Sequence, residues 1–120
     1  MADYIKKFGP LKEDLIKKFL LDILEGLEYL HSMKVIHWDI KAANILVNHG
    51  VCKLSDFGAS KEILIGDGEG KSFKGSPYWM APEVIKSNGY GRYADIWSLG
   101  CTIIEMLTGS PPFKDCKNEF

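Results

Sequence analysis

Two short apolar runs on either side of a turn constrain this chain more than any other feature of its sequence. Residues 45–47 and 51–54 have the length and the side-chain types of strands, and residues 48–50 (Asn-His-Gly) favour a turn. The runs therefore predict an antiparallel hairpin. Asn44 precedes its first strand and Asp56 follows its second. Pairing would bring both side chains to the open end of the hairpin, where an amide and a carboxylate can share a cation.

Two longer patterns predict helices before and after the hairpin. Asp14 is expected to cap a helix that ends between residues 31 and 34, because apolar residues recur there at three- and four-residue steps. A second helix is expected over residues 94–108, followed by Gly109. It is apolar almost all round, so it should require cover on every side. Residues 63–75 lack periodicity and predict a long loop.

Composition narrows the classes of protein that this chain can represent. Its 120 residues allow one domain with its own core, and a net charge of -1 indicates neither a nucleic-acid partner nor an anionic membrane. The three cysteines form no Cys-x-x-Cys pair, which argues against a disulfide framework and a zinc site. The start of the chain has no apolar core of a secretory signal, and no apolar run is long enough to span a bilayer. We therefore expect a cytoplasmic or nuclear location.

Three short sequence blocks follow one another along the chain. They are HWDIKAAN at residues 37–44, DFG at 56–58 and APE at 81–83, and they stand in the order in which protein kinases carry such blocks. Over nearly its whole length the chain resembles the large lobe of a eukaryotic protein kinase, with details most similar to the serine/threonine kinases of the mitogen-activated protein kinase kinase kinase group. The resemblance implies an α+β fold, one partial kinase domain over residues 1–120, in which two core helices accompany a small β-hairpin.

The resemblance assigns chemistry to five positions. Asp39 matches the carboxylate that orients the substrate hydroxyl and takes its proton, and Lys41 matches the cation beside the transferred phosphate. Asn44 and Asp56 match the two Mg²⁺ ligands, and Leu46 matches the apolar residue under the adenine ring. The implied cofactors are ATP and Mg²⁺. The implied partner is a protein substrate, with a mitogen-activated protein kinase kinase as one candidate.

The resemblance also implies a set of supporting residues around the catalytic loop (37–44) and the metal loop (56–58). His37 and Phe57 match a stacked pair, and Gly58 completes the metal loop. Asp95, at the start of the buried central helix over 94–108, matches a carboxylate that accepts backbone N–H bonds from the catalytic loop, although it could also be a simple helix cap.

The activation segment, residues 56–83, contains three further residues with implied roles. Ser72 lies where an activating phosphate is commonly placed, and Ser76 would hydrogen-bond between Asp39 and Lys41. Glu83 matches a carboxylate whose usual arginine partner has no counterpart in this sequence.

The sequence also departs from the kinase pattern. Trp38 stands where an arginine normally reads the phosphate of the activation loop, so we expect that control to be lost. The sequence has no counterpart of the small lobe, with its glycine-rich loop, or of the terminal helices, and we expect the isolated chain to be inactive. Three readings remain: a segment of an active enzyme, a catalytically silent kinase-like binding module, and a truncated gene product. Asp39, Lys41, Asn44 and Asp56 together favour an origin in an active enzyme.

Overall fold

The computed structural model describes residues 1–57, 61–62, 77–86 and 91–116. Its helices are α1 (Ala2–Phe8), α2 (Glu13–Ser32), α3 (Pro82–Ile85) and α4 (Tyr93–Thr108). Its strands are β1 (Val35–Ile36), β2 (Ile45–Asn48), β3 (Val51–Leu54) and β4 (Lys61–Glu62). Short 3₁₀ turns occupy Ala42–Asn44 and Pro77–Trp79. The predicted combination of helices with a small antiparallel sheet is confirmed.

Helix α2 contributes a row of buried side chains to the core. Its side chains at three- and four-residue steps, Phe19, Ile23 and Leu27, are at most 1% exposed. The helix ends at Ser32, inside the predicted interval, but its first residue is Glu13 and its N-cap is Lys12. The prediction that Asp14 caps the helix was therefore wrong. Asp14 lies in the first turn, where a negative charge still interacts favourably with the helix dipole.

The predicted hairpin is formed by β2 and β3. Ile45 pairs with Leu54 and Asn48 pairs with Val51, so the turn itself is only His49-Gly50. These two residues have φ angles of 50° and 76°. Positive φ at both central positions is the requirement of the two-residue turn whose twist matches that of the paired strands.

Contacts with α2 fix the hairpin in place. The Cys52 N–H donates to Asp22 Oδ2 at 2.9 Å. A Cβ on Gly26 would lie 3.3 Å from Leu54 Cδ1, so the missing side chain lets the strand approach the helix closely. The second two-stranded sheet, β1 paired antiparallel with β4, joins the start of the catalytic loop to Lys61–Glu62. The sequence patterns did not predict this sheet.

Helix α4 begins one residue before the predicted start and ends as predicted, with Gly109 in the left-handed conformation at φ 81°. Its buried face carries Asp95, Leu99, Thr102 and Met106. Ile96, Trp97, Ile104 and Leu107 are between 42% and 48% exposed. The described residues therefore leave part of α4 without the cover that its apolar composition requires. Helix α2 and the two 3₁₀ turns are its main packing partners.

The described core is continuous from α1 through α2 to α4. Ile40, Ile45 and Met106 are at most 1% exposed, and burying each such side chain contributes about 1.5–3 kcal/mol. The backbone N–H of Leu11 donates to the Met106 carbonyl at 2.8 Å, which ties the entry to α2 to the end of α4. Within the described part of the chain, no helix combines the length and the apolar character that crossing a lipid bilayer requires.

Candidate active site

The loop between β1 and β2 brings together three of the predicted site residues. The Asn44 side-chain amide donates to the Asp39 carbonyl at 2.8 Å and to Asp39 Oδ2 at 2.9 Å. The Lys41 ammonium lies 3.9 Å from the same Oδ2. Lys41 and Asp39 keep only 23% and 20% of their side-chain surface exposed. A carboxylate, a cation and an amide therefore meet at one partly enclosed point.

The hairpin joins this cluster to Asp56. Both the backbone N–H and the hydroxyl of Ser55 donate to the Asn44 carbonyl, at 2.9 and 3.0 Å. The residue before Asp56 is thus held against Asn44, as the hairpin prediction required. Asp56 has a φ of 58°, a left-handed conformation that aspartate tolerates better than most residues, and its side chain is exposed.

The oxygen donors at this end of the hairpin suit a hard divalent cation. Because the Asn44 Nδ2 makes both bonds to Asp39, the Oδ1 of the same amide faces away from that carboxylate. Asn44 Oδ1 and the Asp56 carboxylate are ligands of the kind that Mg²⁺ prefers. These two residues could therefore hold the ion that the sequence predicts.

His37 connects the catalytic loop to the metal loop. Its ring is fully buried, and its Nε2 lies 2.8 Å from the Ser55 carbonyl while its Nδ1 lies 3.2 Å from the Asp39 backbone nitrogen. A carbonyl can only accept and a backbone N–H can only donate, so these contacts assign the neutral tautomer with the proton on Nε2. The Phe57 ring lies 5.3 Å from the His37 ring at 59°. The predicted ring pair is therefore in contact.

Asp95 braces the same loop from α4. Its carboxylate is fully buried and accepts the backbone N–H groups of His37 and Trp38, each at 2.9 Å. His31 Nε2 lies 2.8 Å from its Oδ2. The N-cap of α4 is Arg92, so the alternative that Asp95 is a simple helix cap was wrong.

Trp38 occupies a strained backbone position. Its φ is 71°, and a bulky residue rarely adopts positive φ unless the surrounding structure enforces it. The bond from its N–H to Asp95 Oδ1 is one such constraint. The structure thus accommodates tryptophan at the position where the resemblance expects arginine.

Three polar residues of α4 escaped the sequence analysis. The Ser98 hydroxyl donates to the Trp79 carbonyl at 2.7 Å, and Glu105 Oε2 accepts the Trp79 indole N–H at 3.0 Å. Thr102 Oγ1 lies 3.5 Å from the Ile40 carbonyl. A signal was present in the sequence, because Asp95, Ser98, Thr102 and Glu105 follow at helical steps of three, four and three in an otherwise apolar helix.

The remaining predicted site residues are distributed as follows. Leu46 lies on β2 with 57% of its surface exposed, and Glu83 lies half-buried in the first turn of α3. Glu83 forms no ion pair with any residue that the structure describes. Gly58, Ser72 and Ser76 lie outside the described residues. The roles assigned to all these residues stay predictions.

The comparisons of this chain with a family model and with individual known proteins agree on one family. The protein kinase domain family matches residues 1–120. Mitogen-activated protein kinase kinase kinase A of Dictyostelium discoideum is 51% identical over 116 residues, which is 96% of this chain. Mitogen-activated protein kinase kinase kinase 3 of Homo sapiens is 52% identical over 119 residues, and the Arabidopsis thaliana protein of the same name is 50% identical over 123.

These relatives are much longer than the chain. The matched region is 12% of the Dictyostelium protein and 19% of each of the other two. Identity of about one residue in two nevertheless extends over at least 96% of this chain in all three comparisons. Together with the match of the whole chain to the kinase domain, these similarities show that the chain belongs to the protein kinase family.

Proposed function

We propose that this chain carries the catalytic-loop side of a serine/threonine protein kinase site, which transfers the γ-phosphate of ATP to a protein hydroxyl. One observation carries the proposal: the Asp39 carboxylate receives the Asn44 amide at 2.9 Å and lies 3.9 Å from the Lys41 ammonium. A base, a cation and a metal-ligand candidate are thereby positioned by one loop.

Asp39 acts on the substrate hydroxyl. Its carboxylate orients the hydroxyl and accepts its proton as the oxygen forms a bond to the γ-phosphorus. The bond from the γ-phosphorus to its bridging oxygen breaks, and ADP leaves with that oxygen. The bond from Asn44 restricts the Asp39 side chain, so the base is oriented before a substrate arrives.

Lys41, Asn44 and Asp56 compensate the negative charge of the phosphates. The Lys41 ammonium, held beside Asp39, offsets charge that develops on the transferred group. Asn44 and Asp56 would hold Mg²⁺, which when bound neutralises charge on the β- and γ-phosphate oxygens. In this proposal Leu46 contacts the adenine ring from β2.

The named relatives support a place in a signalling cascade. Their names describe kinases that act on mitogen-activated protein kinase kinases, so a protein of that class is the substrate we propose for the site. The catalytically silent binding module is not favoured, because such a module has no chemical reason to keep Asp39, Lys41, Asn44 and Asp56. The cytoplasm or nucleus is the proposed location.

Nucleotide binding provides the first test. Mn²⁺ is a paramagnetic substitute for Mg²⁺ that broadens nearby amide resonances. We expect millimolar Mn²⁺-ATP to broaden the amide signals of Asn44 and Ser55 in the ¹⁵N-labelled chain, with an affinity weaker than low micromolar. Asp56→Asn should lose the broadening, whereas Asp14→Asn, which changes an exposed carboxylate on α2, should retain it. Broadening that is identical in the Asp56 variant would contradict the proposed metal site.

A further inference from the structure

Glu105 of α4 connects the catalytic loop next to Lys41 with the aromatic ring that Lys41 contacts. Glu105 Oε2 accepts the Ala42 backbone N–H at 3.1 Å and the Trp79 indole N–H at 3.0 Å. Ala42 follows Lys41 directly and is fully buried. Glu105 therefore holds the backbone next to Lys41 and the ring of Trp79 at the same point.

The Trp79 ring is in turn a platform for Lys41. The Lys41 ammonium lies 5.6 Å from the ring centroid, within the range of a cation–π interaction. The backbone of Trp79 is held separately, because its carbonyl accepts the Ser98 hydroxyl at 2.7 Å. With the backbone fixed in this way, the bond between the indole N–H and Glu105 determines the orientation of the ring.

We propose that Glu105 is a positioning residue that places the Lys41 ammonium beside Asp39 through the indole of Trp79. A lysine side chain has four rotatable bonds, and a weak ion pair at 3.9 Å restricts them only slightly, so the ring of Trp79 adds to the restriction. The ring face attracts the ammonium on one side and Asp39 attracts it on the other. The significance for phosphate transfer rests on the proposed function, but the geometry can be tested without it.

Nuclear magnetic resonance of lysine-labelled chain measures this geometry directly. Protons above the face of an aromatic ring are shifted upfield, so the ε-CH₂ signal of Lys41 should lie upfield of the lysines that contact no ring. Lys7, whose ammonium lies 5.3 Å from the Phe8 ring centroid, can show a similar shift, and Lys7→Arg identifies its signal. Lys41→Arg identifies the Lys41 signal. We expect Glu105→Ala to abolish the upfield shift and Glu105→Gln to restore part of it, since the amide oxygen of glutamine still accepts an N–H. Glu28→Ala, which removes an exposed carboxylate of α2, is the matched control and should change nothing.

A second variant separates the indole bond from the other contacts of Glu105. Trp79→Phe keeps an aromatic face but removes the N–H, so the Lys41 shift should decrease. Adding Glu105→Ala to Trp79→Phe should produce no further decrease. An unchanged Lys41 signal in Trp79→Phe would overturn the proposal, and this result remains decisive if Glu105→Ala does not fold. The proposal would also be overturned if Glu105→Ala decreased the Lys41 shift as much in the Trp79→Phe variant as in the unsubstituted chain.

The outcome is independent of the proposed kinase activity. If the Lys41 shift depends on Glu105 and Trp79 while Asp39→Asn leaves phosphate transfer unchanged, the positioning geometry holds and the proposed function fails. If transfer depends on Asp39 while the Lys41 shift is indifferent to Glu105, the proposed function holds and Glu105 is not a positioning residue.

Discussion

The carboxylate of Asp95 and the backbone N–H of His37 lie 2.9 Å apart, although 58 positions separate them in the chain. The same carboxylate also accepts the N–H of Trp38, whose φ of 71° is unfavourable for a large side chain. A fully buried negative charge on α4 thereby holds the backbone that leads into Asp39. The position of the candidate base consequently depends on a helix that lies more than fifty residues downstream.

Asp95→Asn should destabilise the fold. Asparagine has one acceptor oxygen in place of two, and its NH₂ group would face an N–H donor of His37 or Trp38. We expect the free energy of unfolding in urea to fall by about 3 kcal/mol, since hydrogen bonds to a buried charge are lost. Asp14→Asn, whose side chain is fully exposed, removes only a charge near the N-terminus of α2 and should change it by less than about 1 kcal/mol. Equal effects of the two substitutions would show that Asp95 does not brace the loop.

Two glycine substitutions should change stability in opposite directions. Gly50 has a φ of 76° in the hairpin turn, so Gly50→Ala should destabilise the chain by about 1 kcal/mol. Gly100 lies inside α4, and a Cβ there would meet nothing within 4 Å. Gly100→Ala should therefore stabilise the chain by about 0.5–1 kcal/mol. Thermal unfolding of both variants checks the signs. A stabilising Gly50→Ala would argue against the observed two-residue turn.

The buried thiol of Cys52 should make stability fall at high pH. Burial is the main cause that raises the pKa of this thiol from 9.0 to about 11, with the Asp22 carboxylate as a second cause. The unfolded thiol ionises near pH 9 and the folded thiol only near pH 11. As the pH rises through this window, the unfolded state loses its proton first and becomes relatively more stable. The free energy of unfolding should therefore decrease between pH 9 and 11.

Urea unfolding at several pH values isolates the contribution of Cys52. The free energy of unfolding of Cys52→Ala should decrease less steeply with pH than that of the unsubstituted chain. The variant lacks this thiol, whereas all other titrating groups are common to both proteins. Cys116→Ala changes an exposed thiol and should retain the full decline. Parallel pH profiles for the chain and Cys52→Ala would indicate that the folded thiol is not shielded.

Local patterns were sufficient to predict much of this fold. The hairpin followed from strand-forming residues around a turn that contains Gly50, and α2 and α4 followed from periodicity and from Gly109. The Asp14 cap was wrong because a helix N-terminus can form at a lysine N-cap without a side-chain hydrogen bond. The apolar composition of α4 indicates that the helix requires cover, but composition does not specify which neighbours supply it.

Contacts between distant segments were less accessible from the sequence. The proximity of Asn44 and Asp56 could be predicted from the sequence because one short hairpin connects them. No local rule places Glu105 against Trp79 or His31 against Asp95. The first contact depends on how the Pro77–Trp79 turn packs on α4, and the second depends on how α2 and α4 pack. The resemblance supplied Asp95 as a bracing residue, whereas the helical spacing of polar residues in α4 was a local signal that the sequence analysis left unused.

Phosphate transfer that depends on Asp39 tests the central claim most directly. The protein that contains this sequence would be captured from its own cells with an antibody against residues 63–74. Two alleles are compared, one with Asp39 and one with Asp39→Asn, and equal amounts of the two captured proteins are assayed. Incorporation of labelled γ-phosphate into a basic serine-containing protein is then measured with Mg²⁺-ATP. The account predicts a loss of about 100-fold or more in the Asp39→Asn product, because asparagine cannot accept the hydroxyl proton. Equal incorporation by the two products, well above the level of a control capture that contains neither product, would contradict the assignment of Asp39 as the catalytic base.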